Sequence, residues 1–217
     1  MRKYDKIETV FARDIEGTKK LILHKFRDEA VEYLKDEDWV WTEKVDGTNI
    51  RVYWDGHTVT FGGRTDNAQI PAELVTRLNE LFGGETNAQL FEQMFGEKEV
   101  ILFGEGYGRK IQKVGSAYIP DRVDFILFDV LIGDNYQERE WVEKTAAAFG
   151  IKVVPIIGIG GLYSAIRYIH GHPDSEVAEG RCKMEGLVCR PAIELRDRCG
   201  NRIIVKVKWE DFKDLEI

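Results

Sequence analysis

The sequence lacks the features of a secreted, membrane-spanning or zinc-binding protein. Its three cysteines have no C-x-x-C spacing, and its four histidines form only one close pair, His170 and His172. The longest apolar run, 153–159, contains Pro155 and is too short to span a bilayer. The first residues contain no apolar segment of the kind found in signal peptides. We therefore expect free thiols in a reducing compartment.

The chain also has fewer basic than acidic residues. The 31 lysines and arginines are outnumbered by 38 aspartates and glutamates, for a net charge of −7. This balance excludes a protein coated with nucleic acid, although a local basic groove can oppose the average field. No Walker A pattern occurs, and the Gly158–Gly161 loop does not match G-x-G-x-x-G. The two common phosphate-binding loops are therefore not expected.

The hydrophobic pattern mixes strand and helix periods, which predicts an α+β protein. The composition, 43% hydrophobic and 32% charged, is typical of a globular chain with a sizeable core, and we expect one domain over residues 1–217. The predicted strands are 20–25, 39–43, 49–54, 57–61, 100–103, 124–132, 151–157, 185–190 and 202–208. The predicted helices are 27–34, one beginning at Pro71 and ending at Gly83, 87–95, 138–149, 162–170 and one short helix within 209–217.

The stretch 42–54 is the most informative part of the chain. Two strand-like segments flank Asp46-Gly47, a dipeptide that favours tight hairpin turns. We therefore expect a β-hairpin with Lys44 at its mouth. A solvated lysine beside such a turn is common, so the interpretation depends on what accompanies it.

Several polar residues accompany Lys44 at unusual positions. Glu105 lies between glycines after an apolar strand, and Asp129 interrupts another apolar strand, where a buried carboxylate needs a partner. Lys206 and Lys208 share one face of an alternating strand, so that face is expected to meet an anion. The segment 107–113 carries three cations interleaved with glycine and an aromatic residue, a pattern that suits phosphate binding: Arg109, Lys110 and Lys113.

These residues carry a family resemblance. Lys44-Val-Asp46-Gly47-Thr-Asn49 resembles the K-x-D/H-G-x-N motif of ATP-dependent RNA ligases of the phage RNA ligase 2 and kinetoplastid editing-ligase type, within the covalent nucleotidyltransferase superfamily. The segment 107–113 is similar to the Y-G-x-x-I-Q-K stretch of the phage-type enzymes. Five further family motifs follow in order: Arg64, Phe103–Glu105, Phe128–Asp129, Glu185–Val188 and Lys206–Lys208.

The resemblance implies a fold and a reaction. The expected fold is an α+β nucleotidyltransferase (adenylation) domain, an ATP-grasp-like ligase core with antiparallel sheets flanked by helices. Only nine residues follow Lys208, so no C-terminal OB-fold or helical domain is expected. The implied reaction forms a lysyl-AMP intermediate from ATP, transfers AMP to a 5′-phosphate end and seals that end to a 3′-hydroxyl.

The resemblance also implies residue roles. A free lysine has a pKa of about 10.4, and nearby cations favour the neutral amine that attacks phosphorus. Asp129 is implied as a structural or late-step residue. The implied catalytic residues are Lys44, Lys206, Lys208 and Glu185. The implied ATP-binding residues are Glu43, Asp46, Asn49, Arg64, Glu105 and Phe128. Glu185 and Glu105 are implied to hold Mg²⁺ or Mn²⁺ through water. The implied nucleic-acid contacts are Arg109, Lys110 and Lys113.

Other functions stay open at this point. Asn49 favours RNA, because DNA ligases and capping enzymes usually have arginine there, whereas Asp46 departs from the histidine of several RNA ligases. The alternatives are an ATP-dependent DNA ligase, a non-catalytic nucleotide- or RNA-end-binding module, and an unrelated α+β domain with chance matches. The expected partners are RNA ends or nicked duplexes, and a separate protein that supplies nucleic-acid grip. We expect a cytoplasmic monomer of RNA repair in a bacterial or phage-infected cell, without a membrane partner.

Overall fold

The computed structural model describes residues 1–215. Its helices are α1 (Glu29–Leu34), α2 (Ala72–Phe82), α3 (Gly84–Phe95), α4 (Gly115–Tyr118), α5 (Arg139–Phe149), α6 (Leu162–His170) and α7 (Trp209–Phe212). Its strands are β1 (Glu8–Thr9), β2 (Phe11–Arg13), β3 (Leu21–Phe26), β4 (Trp39–Lys44), β5 (Thr48–Trp54), β6 (Val59–Gly62), β7 (Val100–Gly108), β8 (Val123–Ile132), β9 (Asn135–Tyr136), β10 (Lys152–Val153), β11 (Ile156–Gly160), β12 (Gly186–Pro191) and β13 (Val205–Lys208).

The chain divides into two compact units. The first unit comprises residues 1–5, 46–154 and 178–180, and the second comprises 6–45, 155–177 and the described residues from 181 onward. Whether the whole chain acts as one nucleotidyltransferase domain stays a prediction. The helix predicted within 209–217 is present as α7, and Glu216 and Ile217 lie outside the described residues.

The first unit is built on a sheet with the strand order β10-β8-β7-β5-β6, and β9 pairs with the end of β8. The pairs are antiparallel except for β10 and β8. Alternate residues of the central strands pack against α2, α3 and α5 to form the core, with Val52, Leu102 and Phe125 fully buried. The opposite face of β5 and β7 therefore carries their remaining side chains.

The second unit is built on a sheet with the order β1-β13-β12-β4-β11, and a separate β2–β3 pair. Its pairs are antiparallel except for β1 and β13. Trp39, Leu187 and Val205 form a core with α6 on one face of the sheet. Because side chains alternate along each strand, the neighbours of these core residues lie on the other face.

The mixed α+β fold with antiparallel sheets and flanking helices is confirmed. The β5–β6 hairpin around Asp55-Gly56 is also confirmed. The hairpin predicted around Asp46-Gly47 is wrong. β4 pairs with β11 and β12 in the second unit, whereas β5 pairs with β6 and β7 in the first. Asp46-Gly47 thus connects two sheets, and Lys44 ends a strand instead of opening a hairpin.

Several strand predictions differ in their limits, and the strand predicted over 202–208 begins at Val205. The strand predicted to stop at Phe103 continues to Gly108, because Gly104 and Gly106 allow close packing and both lie in the β7 ladder. The strand predicted over 151–157 is divided at Pro155 into β10 and β11, which belong to different sheets. A proline cannot donate to the ladder, and its position marks the change.

Within residues 1–215, every helix is too short or too polar to cross a membrane.

Candidate active site

Lys44 belongs to a row of residues that crosses three strands of the second unit. Gly186 of β12 lies opposite Lys44 of β4 on one side and opposite Lys208 of β13 on the other. A Cβ atom at Gly186 would lie 2.5 Å from the carbonyl oxygen of Val207. Glycine is therefore required at the centre of the row, and the two lysines flank a residue without a side chain.

Glu185 joins the two lysines. Lys44 Nζ lies 2.6 Å from Glu185 Oε2, and Lys208 Nζ lies 2.7 Å from Glu185 Oε1. The Glu185 side chain is 18% exposed, and those of the lysines are 27% and 34% exposed. Solvent therefore reaches the group, but all three side chains are held. Charge-assisted hydrogen bonds of this length fix their geometry.

Lys206 lies in the next row of the same face. Its strand partners are Val188 in β12 and Thr9 in β1. Burial, together with the charges of Lys44 and Lys208, lowers the pKa of Lys206. Lys44 and Lys208 contact the carboxylate of Glu185 and Lys206 lies in the next row, so this face carries more lysines than carboxylates at the row, a charge set chemically suited to a phosphate group.

Glu43 points away from this row. It is 1% exposed, and its neighbours in the alternation of β4, Trp41 and Trp39, belong to the core. Ser175 Oγ donates a hydrogen bond to Glu43 Oε1, and the Glu176 amide donates to Oε2 at 2.8 Å. Burial raises the pKa of Glu43, whereas these hydrogen bonds act in the opposite direction. Both carboxylate oxygens are therefore used within the protein.

The predicted ATP-binding residues Asn49 and Glu105 form a cross-strand pair in the first unit. They lie opposite each other in β5 and β7, so their side chains share a face. Gly47 packs against the same strand, where an added Cβ would lie 2.3 Å from the Gly106 carbonyl oxygen. Glycine is needed at position 47 because its backbone packs closely on β7, and not because of hairpin geometry.

Asn49 carries an unsatisfied polar atom. Its Oδ1 is buried and accepts no hydrogen bond from residues 1–215. Such an atom costs free energy unless a hydroxyl or water donates to it. An orphaned acceptor beside a carboxylate fits a ligand that carries hydroxyl groups, as a ribose does. This is the observation in the first unit that suits a nucleoside.

The other predicted nucleoside contacts differ in their surroundings. Arg64 is exposed in the loop after β6. Phe128 is half-buried, and its ring lies 5.0 Å from that of Tyr4 in an edge-on arrangement. Asp46 is half-buried, and its amide donates to Tyr118 Oη at 3.4 Å.

The predicted nucleic-acid segment forms a tight loop against the Asp46-Gly47 turn. Gln112 Nε2 donates to the Gly47 carbonyl oxygen at 3.0 Å. Lys110 and Gln112 have positive φ angles of 63° and 57°, an uncommon conformation for residues with side chains. Lys110 and Lys113 are exposed, whereas Arg109 pairs with Glu73 at 3.4 Å. The loop therefore presents two exposed lysines beside the turn that follows Lys44 in the sequence.

Asp129 has the partner that its burial requires. Tyr4 Oη donates to Asp129 Oδ2 at 2.5 Å, and the carboxylate is 2% exposed. Sequence reasoning missed this role of Tyr4. It also missed Arg51, which is fully buried and donates to the carbonyl oxygens of Met1, Arg2 and Gly63. The only sequence signal was an arginine within an apolar strand.

The residues available for a metal ion are few. Among residues 1–215, no three His, Cys, Asp or Glu side chains cluster closely enough to hold one. Both oxygens of Glu185 are engaged by lysines. A divalent cation at Glu185 would have to displace a lysine or bind through water, and Mg²⁺ commonly retains its waters. Glu185 could then hold a metal ion only through water, and this assignment stays a prediction.

Comparison with known proteins identifies the family. The family model for RNA ligase matches residues 37–208. The chain belongs to the RNA ligase family. The match includes the row around Gly186, the Asn49–Glu105 pair and the loop at Gln112. No curated protein matches the sequence.

Solved structures share the nucleotidyltransferase-type fold of this RNA ligase family member. A Naegleria gruberi RNA ligase lysine-to-alanine mutant with ATP and Mn superposes with a TM-score of 0.67 at 21% identity, over 99% of this chain and 58% of that chain. The N. gruberi RNA ligase with PPi gives 0.64 at 23% identity, over 99% and 59%. At these identities the likeness shows the fold. The chain spans less than two thirds of the length of these ligases.

Proposed function

We propose that this chain is an ATP-dependent polynucleotide ligase that acts on RNA ends through a lysyl-AMP intermediate. The single observation that carries the proposal is the carboxylate of Glu185 held between Lys44 and Lys208, with Lys206 in the next row. Membership of the RNA ligase family supports the substrate class. The N. gruberi structures with ATP, AMP and PPi support the choice of nucleotide.

Lys44 is the proposed nucleophile. Its ammonium group first loses a proton, for which Glu185 Oε2 at 2.6 Å is the nearest described acceptor. The neutral Nζ then forms a bond to the α-phosphorus of ATP, the bond from that phosphorus to the bridging oxygen breaks, and pyrophosphate leaves. A second proton leaves the nitrogen as the phosphoramidate forms.

Lys206 and Lys208 are proposed to stabilise the charge that develops on the phosphate oxygens, because fixed cations are most effective where charge increases in the transition state. Glu185 is also the proposed holder of Mg²⁺ or Mn²⁺ through water, as is Glu105. When bound, the metal supplies further positive charge to the phosphates.

The remaining residues are proposed to bind the rest of the nucleotide and the nucleic acid. Asn49 and Glu105 suit ribose hydroxyls, because an orphaned acceptor and a carboxylate share one face. Asp46, Arg64 and Phe128 keep the nucleotide contacts implied by the family motifs. The nucleic-acid contacts are proposed to be Arg109, Lys110 and Lys113, and the exposure of the two lysines supports this. AMP passes from Lys44 to a 5′-phosphate, and a 3′-hydroxyl displaces it.

Sealing of matched nicks tests the RNA assignment. Two duplexes carry a pre-installed 5′-adenylate and differ only in whether the 3′-hydroxyl strand ends in ribonucleotides. Recognition of 2′-hydroxyls predicts a faster single-turnover rate for the ribonucleotide nick. Equal rates, or a preference for the all-DNA nick, would contradict the RNA assignment and favour a DNA ligase.

A further inference from the structure

The chain segment that leads into Glu185 is hydrogen-bonded to a segment that precedes it in the sequence. The Ser175 segment, residues 173–177, pairs with residues 182–184, which lead directly into Glu185. The Ser175 amide donates to the Cys182 carbonyl oxygen at 2.9 Å, and the Met184 amide donates to the Pro173 carbonyl oxygen at 3.0 Å. The position of the Ser175 segment therefore bears on the position of Glu185.

Glu43 fastens the Ser175 segment to β4. Its two carboxylate oxygens accept hydrogen bonds from Ser175 Oγ and from the Glu176 amide, and Ser175 Oγ in turn accepts from the Val177 amide at 3.1 Å. A carboxylate that is 1% exposed is costly to bury unless it is fully hydrogen-bonded. These contacts offset part of that cost, while burial still raises the pKa of Glu43.

The far side of Glu185 is fixed as well. The Trp209 amide donates to the Glu185 carbonyl oxygen at 3.0 Å, and the Trp209 indole stacks on His172 with ring centroids 3.7 Å apart. His172 immediately precedes the Ser175 segment. The backbone around Glu185 is thus supported from both sides, and Glu43 is the buried ionisable residue in that support.

From these contacts we infer that Glu43 is a positioning residue, which fixes Glu185 through the Ser175 segment and so sets the carboxylate between Lys44 and Lys208. The inference rests on the proposed function and assigns Glu43 a role other than nucleotide contact. Glu43 lies on the core face of β4, whereas Lys44 lies on the opposite face. Its effect on the reaction is therefore transmitted through backbone, in the way that outer residues orient catalytic ligands.

Variants at both ends of the contact test this role. Ser175→Ala removes the hydroxyl donor, and Glu43→Ala removes the acceptor. Ser175→Thr and Glu43→Gln keep a hydroxyl and a hydrogen-bonding carbonyl, respectively. Thr145→Val is the matched control, because it removes a buried hydroxyl that bonds to the Trp141 carbonyl oxygen in the first unit. The measurements are single-turnover lysine adenylylation against ATP concentration, and hydrogen exchange of residues 174–184.

A positioning role predicts a loss of rate with little loss of ATP affinity. We expect both alanine variants to lower the maximal rate by about tenfold, with half-saturation changed less than about twofold, and to accelerate exchange of residues 174–184. Ser175→Thr, Glu43→Gln and Thr145→Val should retain most of the rate. The double alanine variant should lose little more than either single variant, because both remove one contact.

Two outcomes would overturn the inference. If the role is correct, Ser175→Ala must differ from wild type in both rate and exchange. Wild-type behaviour of Ser175→Ala therefore contradicts the inference even when Glu43→Ala is too unstable to assay. A Glu43→Gln variant as slow as Glu43→Ala, with weakened ATP half-saturation, would instead assign Glu43 to nucleotide binding. If wild type forms no adenylate, the proposed function fails, and unchanged exchange in Ser175→Ala separately decides against the contact.

Discussion

Lys44 Nζ lies 2.6 Å from Glu185 Oε2, so the proposed nucleophile is held as an ion pair. An ammonium group has no lone pair for attack, and the pair must transfer or release a proton before chemistry. Lys206 and Lys208 add positive charge to the same small region, where they are proposed to stabilise the phosphate oxygens.

Lys206→Met should slow lysine adenylylation and stabilise the protein. Loss of a charge-stabilising cation is expected to reduce the rate by about 100-fold at neutral pH. Burial and the charges of Lys44 and Lys208 lower the pKa of Lys206, so the unfolded chain binds this proton more tightly. Wild-type stability therefore increases as pH rises toward the unfolded lysine pKa of about 10.4, and the cost is largest at the low end of that range.

Thermal melting from pH 7 to pH 10 measures this cost. The variant should melt roughly 1–3 °C above wild type at pH 7, and the difference should shrink as pH rises. Lys98→Met, at an exposed position, should change neither rate nor melting temperature. An unchanged adenylylation rate in Lys206→Met would show that Lys206 has no part in the reaction.

Glu43→Gln should stabilise the protein at neutral pH and not in acid. Burial raises the pKa of Glu43, so the folded state binds this proton more tightly than the unfolded chain does. The stability that this proton contributes is fully present below the glutamate pKa of the unfolded chain, about 4.3. It is lost as pH rises through the pKa of Glu43 in the folded state. Glutamine carries no charge in either state and avoids that loss.

Melting temperatures from pH 4 to pH 8 test the sign. Glu43→Gln should exceed wild type by about 1–3 °C at pH 7, and the gain should disappear near pH 4. Glu97→Gln is the control, because Glu97 is exposed. A gain that is constant across this range, or a variant less stable than wild type at pH 7, would contradict the expected titration.

Tyr4→Phe should destabilise the first unit. The change removes the hydroxyl that donates to the buried carboxylate of Asp129 at 2.5 Å and leaves the ring packing on Phe103 in place. A hydrogen bond to a charged group contributes roughly 1.5–3 kcal/mol, so the free energy of unfolding should fall by that amount. Urea unfolding measures it, with Tyr33→Phe as the control because Tyr33 is 86% exposed. Equal midpoints for the two variants would contradict the assigned hydrogen bond.

Local patterns were sufficient for much of the second unit's site. The alternation in β13 predicted that Lys206 and Lys208 share one face, opposite Val205 and Val207, and the structure confirms it, with both valines buried in the core. The structure also confirms that buried Asp129 has a hydrogen-bonding partner, which is Tyr4. In each case the sequence signal is local, because side-chain direction follows from the strand period.

Local sequence patterns did not predict features that depend on contacts between residues far apart in the sequence. Asp46-Gly47 has the composition of a hairpin turn, but Gly47 is needed because it packs on the Gly106 carbonyl oxygen, far away in sequence. β4 and β5 consequently enter different sheets. The contacts of Arg51 with the N-terminal carbonyl oxygens and of Glu43 with Ser175 likewise join distant residues. No local pattern specifies which donor will satisfy a buried group.

The covalent role of Lys44 is the central claim, and intact-protein mass spectrometry tests it most directly. Purified protein is treated with pyrophosphate to remove any bound adenylate, desalted, and incubated with ATP and Mg²⁺ or Mn²⁺. Wild type should gain the mass of one adenylate, and Lys98→Met should behave like wild type. Lys44→Ala should gain none, and Lys44→Arg should also fail, because the guanidinium stays protonated. An adenylate on Lys44→Ala, or none on wild type with either metal, would contradict the account.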